Sequence, residues 1–182
     1  MRKILLLLAL MLIVLPLTGC LGAETVTAPQ GAIPLADMPP APEGLMHPDP
    51  YRLEAVSVSE NGSLFSDGTF TMFIRYAIAP NASAVINTAI ADGIGSFAGQ
   101  YIEGVADDVE ITTFSFFGQN AFMISAILTE DTEHGRAGNA AVYVIAPYGD
   151  YFVMVSAYAP VSERAALLTD VPVFMNGFTV SD

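Results

Sequence analysis

The chain has 182 residues, 53% of them apolar, with 11 Phe and 7 Tyr, so it can bury a sizeable core and falls outside the disordered class. Nineteen acidic against six basic residues give a formal charge of -13 at pH 7, which excludes nucleic acid as a partner, because phosphate binding needs clustered Lys and Arg. A single cysteine excludes an internal disulfide, so the core alone must hold the domain.

The chain opens on the positive segment "MRK", followed by an apolar run from Ile4 to Leu15. That run is shorter than the roughly 20 residues needed to cross a hydrocarbon core, and it suits the apolar region of a secretory signal. It ends in "LTGC", which resembles the lipobox of prokaryotic lipoproteins, where cleavage falls just before the cysteine. The resemblance implies a signal peptide over residues 1–19 and a diacylglyceryl thioether on Cys20. The mature protein would then be exported and anchored to the outer face of a membrane. Two acyl chains suffice for stable anchoring. Losing Arg2 and Lys3 with the leader leaves no lysine, and Arg52, Arg75, Arg136 and Arg164 as the only strong bases.

Residues 20–50 form the lipidated cysteine and a proline-dense stretch, with Pro29, Pro34, Pro39, Pro40, Pro42, Pro48 and Pro50. Proline lacks an amide donor and drives its predecessor toward extended geometry, so this stretch reads as a semi-rigid spacer that holds the domain off the membrane. A single domain is expected over residues 51–182.

Within it, "RLEAVSVSE" reads as a first strand and "NGSLFSDG" as a turn-rich connection. In "TFTMFIRYAIAP", Phe70, Met72, Ile74, Tyr76 and Ile78 alternate onto one face of a second strand. A long helix follows over residues 82–104, capped by Asn81 or Ser83. Its apolar stripe is Ile86, Ile90, Ile94, Phe97 and Tyr101. Gly93, Gly95 and Gly99 weaken it, each by about 1 kcal/mol relative to alanine, and mark a bend or a close approach to the sheet. "VEITTFSFF" and "AFMISAILT" form a hairpin about "GQN", and "AAVYVIAP" and "YFVMVSAYAP" a second about "YGD". The polar loop "EDTEHGRAGN" joins them. "SERAALLT" starts a C-terminal helix capped by Ser162, and Asp170 with Pro172 suits a fresh short helix. The order predicts an α+β fold: a mostly antiparallel sheet of about six strands, a long helix after strand 2 and a C-terminal helix.

Two strands, a long helix, two meandering hairpins, a late helix after "YAP" and the closing "FMNGFTVSD" together resemble the PsbP/Mog1-like fold, including small lipoproteins of that group. The resemblance covers residues 53–182. It implies a sandwich of sheet and helices, and a binding or assembly role in place of one enzyme class. It carries over no site residue.

Chemistry-bearing residues are few. His47 lies between prolines in the spacer and reads as solvated. Asp131, Glu133 and His134 form a carboxylate-rich loop with one imidazole, able to hold a divalent cation or simply to stand in water. Gly135 falls one place too early for an EF-hand. "GIGSFAG" fits neither a dinucleotide fingerprint nor a nucleophile elbow. Asn61 and Asn81 head glycosylation triplets. The aromatic last hairpin is apolar on both faces. One face takes a helix; the other either takes the second helix or stands as an exposed partner surface. No catalytic residue is assigned and no cofactor is expected beyond that divalent cation. The function expected is a membrane-tethered, non-catalytic binding or accessory domain with an unnamed protein partner. A cation-binding lipoprotein and a carboxylate-based hydrolase are the alternatives.

Overall fold

The computed structural model describes residues 39–50, 53–99, 106–132 and 135–181. Seven strands form one sheet: β2 (Glu54–Ser59), β3 (Gly62–Ser66), β4 (Thr71–Ile78), β5 (Ala106–Phe116), β6 (Gln119–Leu128), β7 (Asn139–Tyr148) and β8 (Tyr151–Pro160). Their order is β2-β3-β4-β8-β7-β6-β5, and every pairing is antiparallel. A separate two-stranded ribbon pairs β1 (Leu45–Met46) with β9 (Thr179–Val180), also antiparallel. Three helices complete the described fold: α1 (Ala82–Asp92), α2 (Gly95–Ala98) and α3 (Arg164–Asn176). The mostly antiparallel α+β architecture read from the sequence is the one observed.

Alternation along the strands splits the core in two. On the first face, Met72, Ile74 and Tyr76 of β4 join Val142 and Val144 of β7 and Val153 and Val155 of β8, beneath Leu167, Val171 and Phe174 of α3. On the second face, Phe122 and Ile124 of β6 join Tyr143, Ile145, Phe152, Met154 and Tyr158, covered by Ala82 and Ile86 of α1 and Ala98 of α2. Both faces of the β7–β8 hairpin are therefore closed by helices along its middle, where Tyr143, Phe152 and Tyr158 are core, while Tyr148 and Tyr151 at its turn are half-buried. The partner surface entertained for that hairpin is absent from its centre. Each Val, Ile or Phe so buried contributes about 1.5–3 kcal/mol.

Several local expectations change. "NGSLFSDG" contains strand β3, because Asn61-Gly62 and Asp67-Gly68 belong to two different turns. Asp67 closes the second turn by accepting the Thr69 and Phe70 amides at 2.8 and 2.7 Å. The helix read over residues 82–104 stops at Asp92. Gly93 takes φ +92, a left-handed value that glycine alone adopts at little cost, and four residues of α2 follow. Tyr101 lies outside the described residues. Asn81 does precede α1, but its side chain makes no capping bond; its own amide donates to Asp150 Oδ1 at 2.9 Å. At the C-terminal end a short 3₁₀ turn, Val161–Glu163, leads into α3, with no cap from Ser162. Pro172 sits inside α3 and starts no new helix.

The largest change concerns the stretch read as spacer. Residues 39–50 lie on the domain. The Ala41 amide donates to the Glu60 carbonyl at 2.7 Å, Leu45 is 6% exposed within the first core, and β1 pairs with the C-terminal tail. The packed unit thus begins upstream of Tyr51. Five of the seven prolines assigned to the spacer belong to this docked strap, where Pro42 is buried. Proline suits such a strap because an amide that the chain cannot pair is one it need not bury.

Candidate interaction surface

His47 stands half-buried at the centre of the strap. Its Nδ1 lies 3.0 Å from the Pro48 carbonyl, which can only accept, so Nδ1 carries a proton. In the neutral ring Nε2 then accepts from the Ser63 hydroxyl at 3.2 Å. The imidazole packs between Phe65, Phe174 and Phe178, at centroid distances of 5.6, 6.4 and 6.4 Å. A hydroxyl hydrogen-bonded to an imidazole has the order of a nucleophile and its base. Ser63 is only 2% exposed, however, so the pair is closed off from solvent. His47 is a structural residue and not the solvated linker position expected.

From His47 a ladder of rings runs outward. Phe178 meets Phe116 at 5.6 Å, Phe116 meets Phe117 at 4.7 Å, and Phe117 meets Tyr148 at 5.6 Å. Phe116 and Phe178 are buried, whereas Phe117 is 46% exposed. The ladder therefore ends at a surface. Tyr148 is paired across the β7–β8 hairpin with Tyr151, and Tyr151 is paired with Ile78 at the end of β4. Ile78 is 67% exposed, although it continues the buried series Met72, Ile74 and Tyr76. The alternation read from the sequence holds, but the last member of the row projects beyond the cover. Ile78, Tyr151, Tyr148 and Phe117 make an apolar rim along one end of the sheet.

Phe117 also carries backbone strain. With Gly118 it forms the two-residue turn of the β5–β6 hairpin, at φ +47 and +77. Such a turn favours Asn-Gly, and a bulky side chain at positive φ costs of the order of 1–2 kcal/mol. Beside the rim, on the α1 side, lies an open depression of about 490 Å³ lined by Asn81, Ser83, Asn87, Gln119, Gly149 and Asp150. Asn87 and Asn120 bridge there at 2.8 Å.

Cys20, Glu133 and His134 lie outside the described residues. Among the described residues no three His, Cys, Asp or Glu side chains come together as metal ligands. Asp131 is already engaged: its Oδ1 accepts the Ala137 amide at 2.9 Å and its Oδ2 the Arg136 guanidinium at 3.4 Å. The Ala137 bond, and then Arg136, hold its carboxyl below the ordinary value, opposite to the direction a general acid needs. Asp108, in the bulge of β5, is paired with Arg164 of α3. Asn61 sits in the β2–β3 turn, partly buried, and Asn81 is exposed. No described helix is long and apolar enough to cross a membrane.

The depressed Asp131 carboxyl sets the pH behaviour of its loop. Because the ionised form is favoured in the fold, the loop's stabilisation is present above the ordinary carboxyl range and is lost as pH falls through the lowered value. Amide exchange at Ala137, taken relative to its intrinsic rate, should be slow at neutral pH and should accelerate in acid. In Asp131→Ala it should be fast throughout, with the global melting temperature unchanged. Equal protection of Ala137 in both proteins would show that this carboxylate does not order the loop.

The fold is an α+β domain whose central β7–β8 hairpin is closed on both faces by helices, and Ile78 and Phe117 are two of its exposed apolar side chains, set at one end of the sheet. The chain is similar to two solved structures. One is the solution structure of cyanobacterial PsbP (CyanoP) from Synechocystis sp. PCC 6803, at 10% identity and a TM-score of 0.49, covering 76% of this chain and 87% of that one. The other is the crystal structure of LpqN, involved in cell envelope biogenesis of Mycobacterium tuberculosis, at 13% identity and a TM-score of 0.48, covering 80% and 87%. No protein-family model and no curated protein sequence matches the chain.

Proposed function

We propose that the protein is an exported lipoprotein, anchored through Cys20 to the outer face of a membrane, whose domain acts as a non-catalytic binding or accessory module. Its support in the sequence is the short apolar leader ending in "LTGC". The observation that carries it is structural. The chain arriving from Cys20 docks as a strap, through Leu45, His47 and the β1–β9 ribbon. A tethered domain needs an attachment of the tether to the fold of this kind, so that it does not fray from its anchored end. The rim then supplies an apolar contact surface.

Expressing the precursor and its Cys20→Ser variant, then separating membrane from soluble fractions, tests the anchor. The parent should sediment with membranes and the variant should be released, because two acyl chains hold a protein where a lone apolar segment of this length does not. A variant retained on the membrane, or a parent found wholly soluble, would overturn the lipoprotein reading.

A further inference from the structure

We propose that the rim of Ile78, Tyr151, Tyr148 and Phe117 rests on the lipid bilayer that carries the domain, an inference built on the anchoring reading above. Three observations lead there. The first is the chemistry of the rim. Ile78 and Phe117 are exposed, Tyr148 and Tyr151 stand half-buried beside them, and the charge on that hairpin tip, Asp150, is held by the Asn81 amide. Phenol and phenyl side chains of this kind settle at the boundary between headgroups and acyl chains.

The second is where the tether joins. The Ala41 amide is bonded to Glu60, in the turn between β2 and β3. Gly62, just after that turn, pairs with Arg75, so the turn lies at the same end of the sheet as Ile78. The chain from Cys20 to the strap therefore reaches the domain at its rim end. With the strap docked, only residues 21–38 separate the lipidated cysteine from the described fold, a span of at most about 65 Å when fully extended. A tether of that length, fixed at that end, keeps the rim within reach of the surface.

The third is the strained turn. A phenylalanine occupies a left-handed position where Asn would relieve the strain, and its ring stays 46% exposed. Strain kept at a side chain that the fold only half covers points to a use of that side chain outside the fold. The acidic surface opposes seating on anionic lipid, so the contact is made with a neutral bilayer by apolar insertion and not by charge. The same acidity disfavours a second copy as the occupant.

The chain contains no tryptophan, so one introduced indole reports its own surroundings. The lipidated protein carrying Phe117→Trp is reconstituted into phosphatidylcholine vesicles with and without bromine on the acyl chains. Val161→Trp, just past the other end of β8, is the comparison. Tyr148→Trp repeats the measurement beside position 117, where the backbone is unstrained. The indoles at 117 and 148 should lose most of their emission in brominated vesicles, and the one at 161 should keep it. Unchanged emission at 117 and 148, in protein that floats with the vesicles, leaves the anchor standing and overturns the seating, assigning the rim to a protein partner. Equal quenching at 161 also overturns it, because the domain would then lie on no particular end. Protein that fails to float removes the anchor and the seating together.

Discussion

Replacing Phe122 by alanine should lower the unfolding free energy by about 3–5 kcal/mol, the usual range for a deleted core phenyl. Phe122 is 0% exposed on β6, on the sheet face covered by α1 and α2. Phe97 meets it edge-on at 5.6 Å and also meets Phe152 at 6.2 Å, so one ring from the broken helical region bridges two strands. Phe97 belongs to the four-residue α2 and packs against the second core. A helix that short has little stability of its own and depends on this packing. Removing Phe122 therefore leaves a cavity and loosens the cover at once. Urea unfolding should show a lower midpoint with an unchanged slope. A loss below about 1 kcal/mol, the level of a surface change, would mean that α1 and α2 do not close this face as described.

Leu45→Ala should cost about 2–5 kcal/mol, although Leu45 lies in a proline-dense stretch that reads as linker. The side chain is 6% exposed among the residues of the first core, and its backbone pairs with Val180. The loss should fall toward the low end of that range, because a strap can settle back over a small cavity more readily than a central strand can. Substituting a linker residue would stay within about 0.5 kcal/mol. Proteolysis gives an independent reading. If the strap is docked, cleavage in the parent should fall before residue 39, and in Leu45→Ala it should move into residues 39–50. Identical melting curves and an identical cleavage pattern would return these residues to the spacer.

Much of the fold was legible because it rests on local periodicity. Alternation in β4, β7 and β8, the turns at Gly118 and Gly149, and the presence of helices after β4 and β8 follow from residue spacing alone. The proposed anchoring rests on the leader and "LTGC", which lie outside the described residues, and so on the sequence alone. Other features needed three dimensions. The β3 strand is five residues between two turn signals, too short for its pattern to outweigh its flanks. The helix over 82–104 kept its apolar spacing but broke at Gly93, where conformational freedom won over periodicity. Composition made residues 39–50 a spacer; what seats them is contact with Ser63, Phe65 and Phe178, residues 16 or more positions away. The rim shows the same division. Ile78 belongs to the buried face by its parity, and Phe117 to a turn by its neighbour Gly118. Only the tertiary structure, by ending the cover short of the strand ends, brings both into solvent beside Tyr148 and Tyr151, because burial depends on what lies above a residue and not on its place in a pattern.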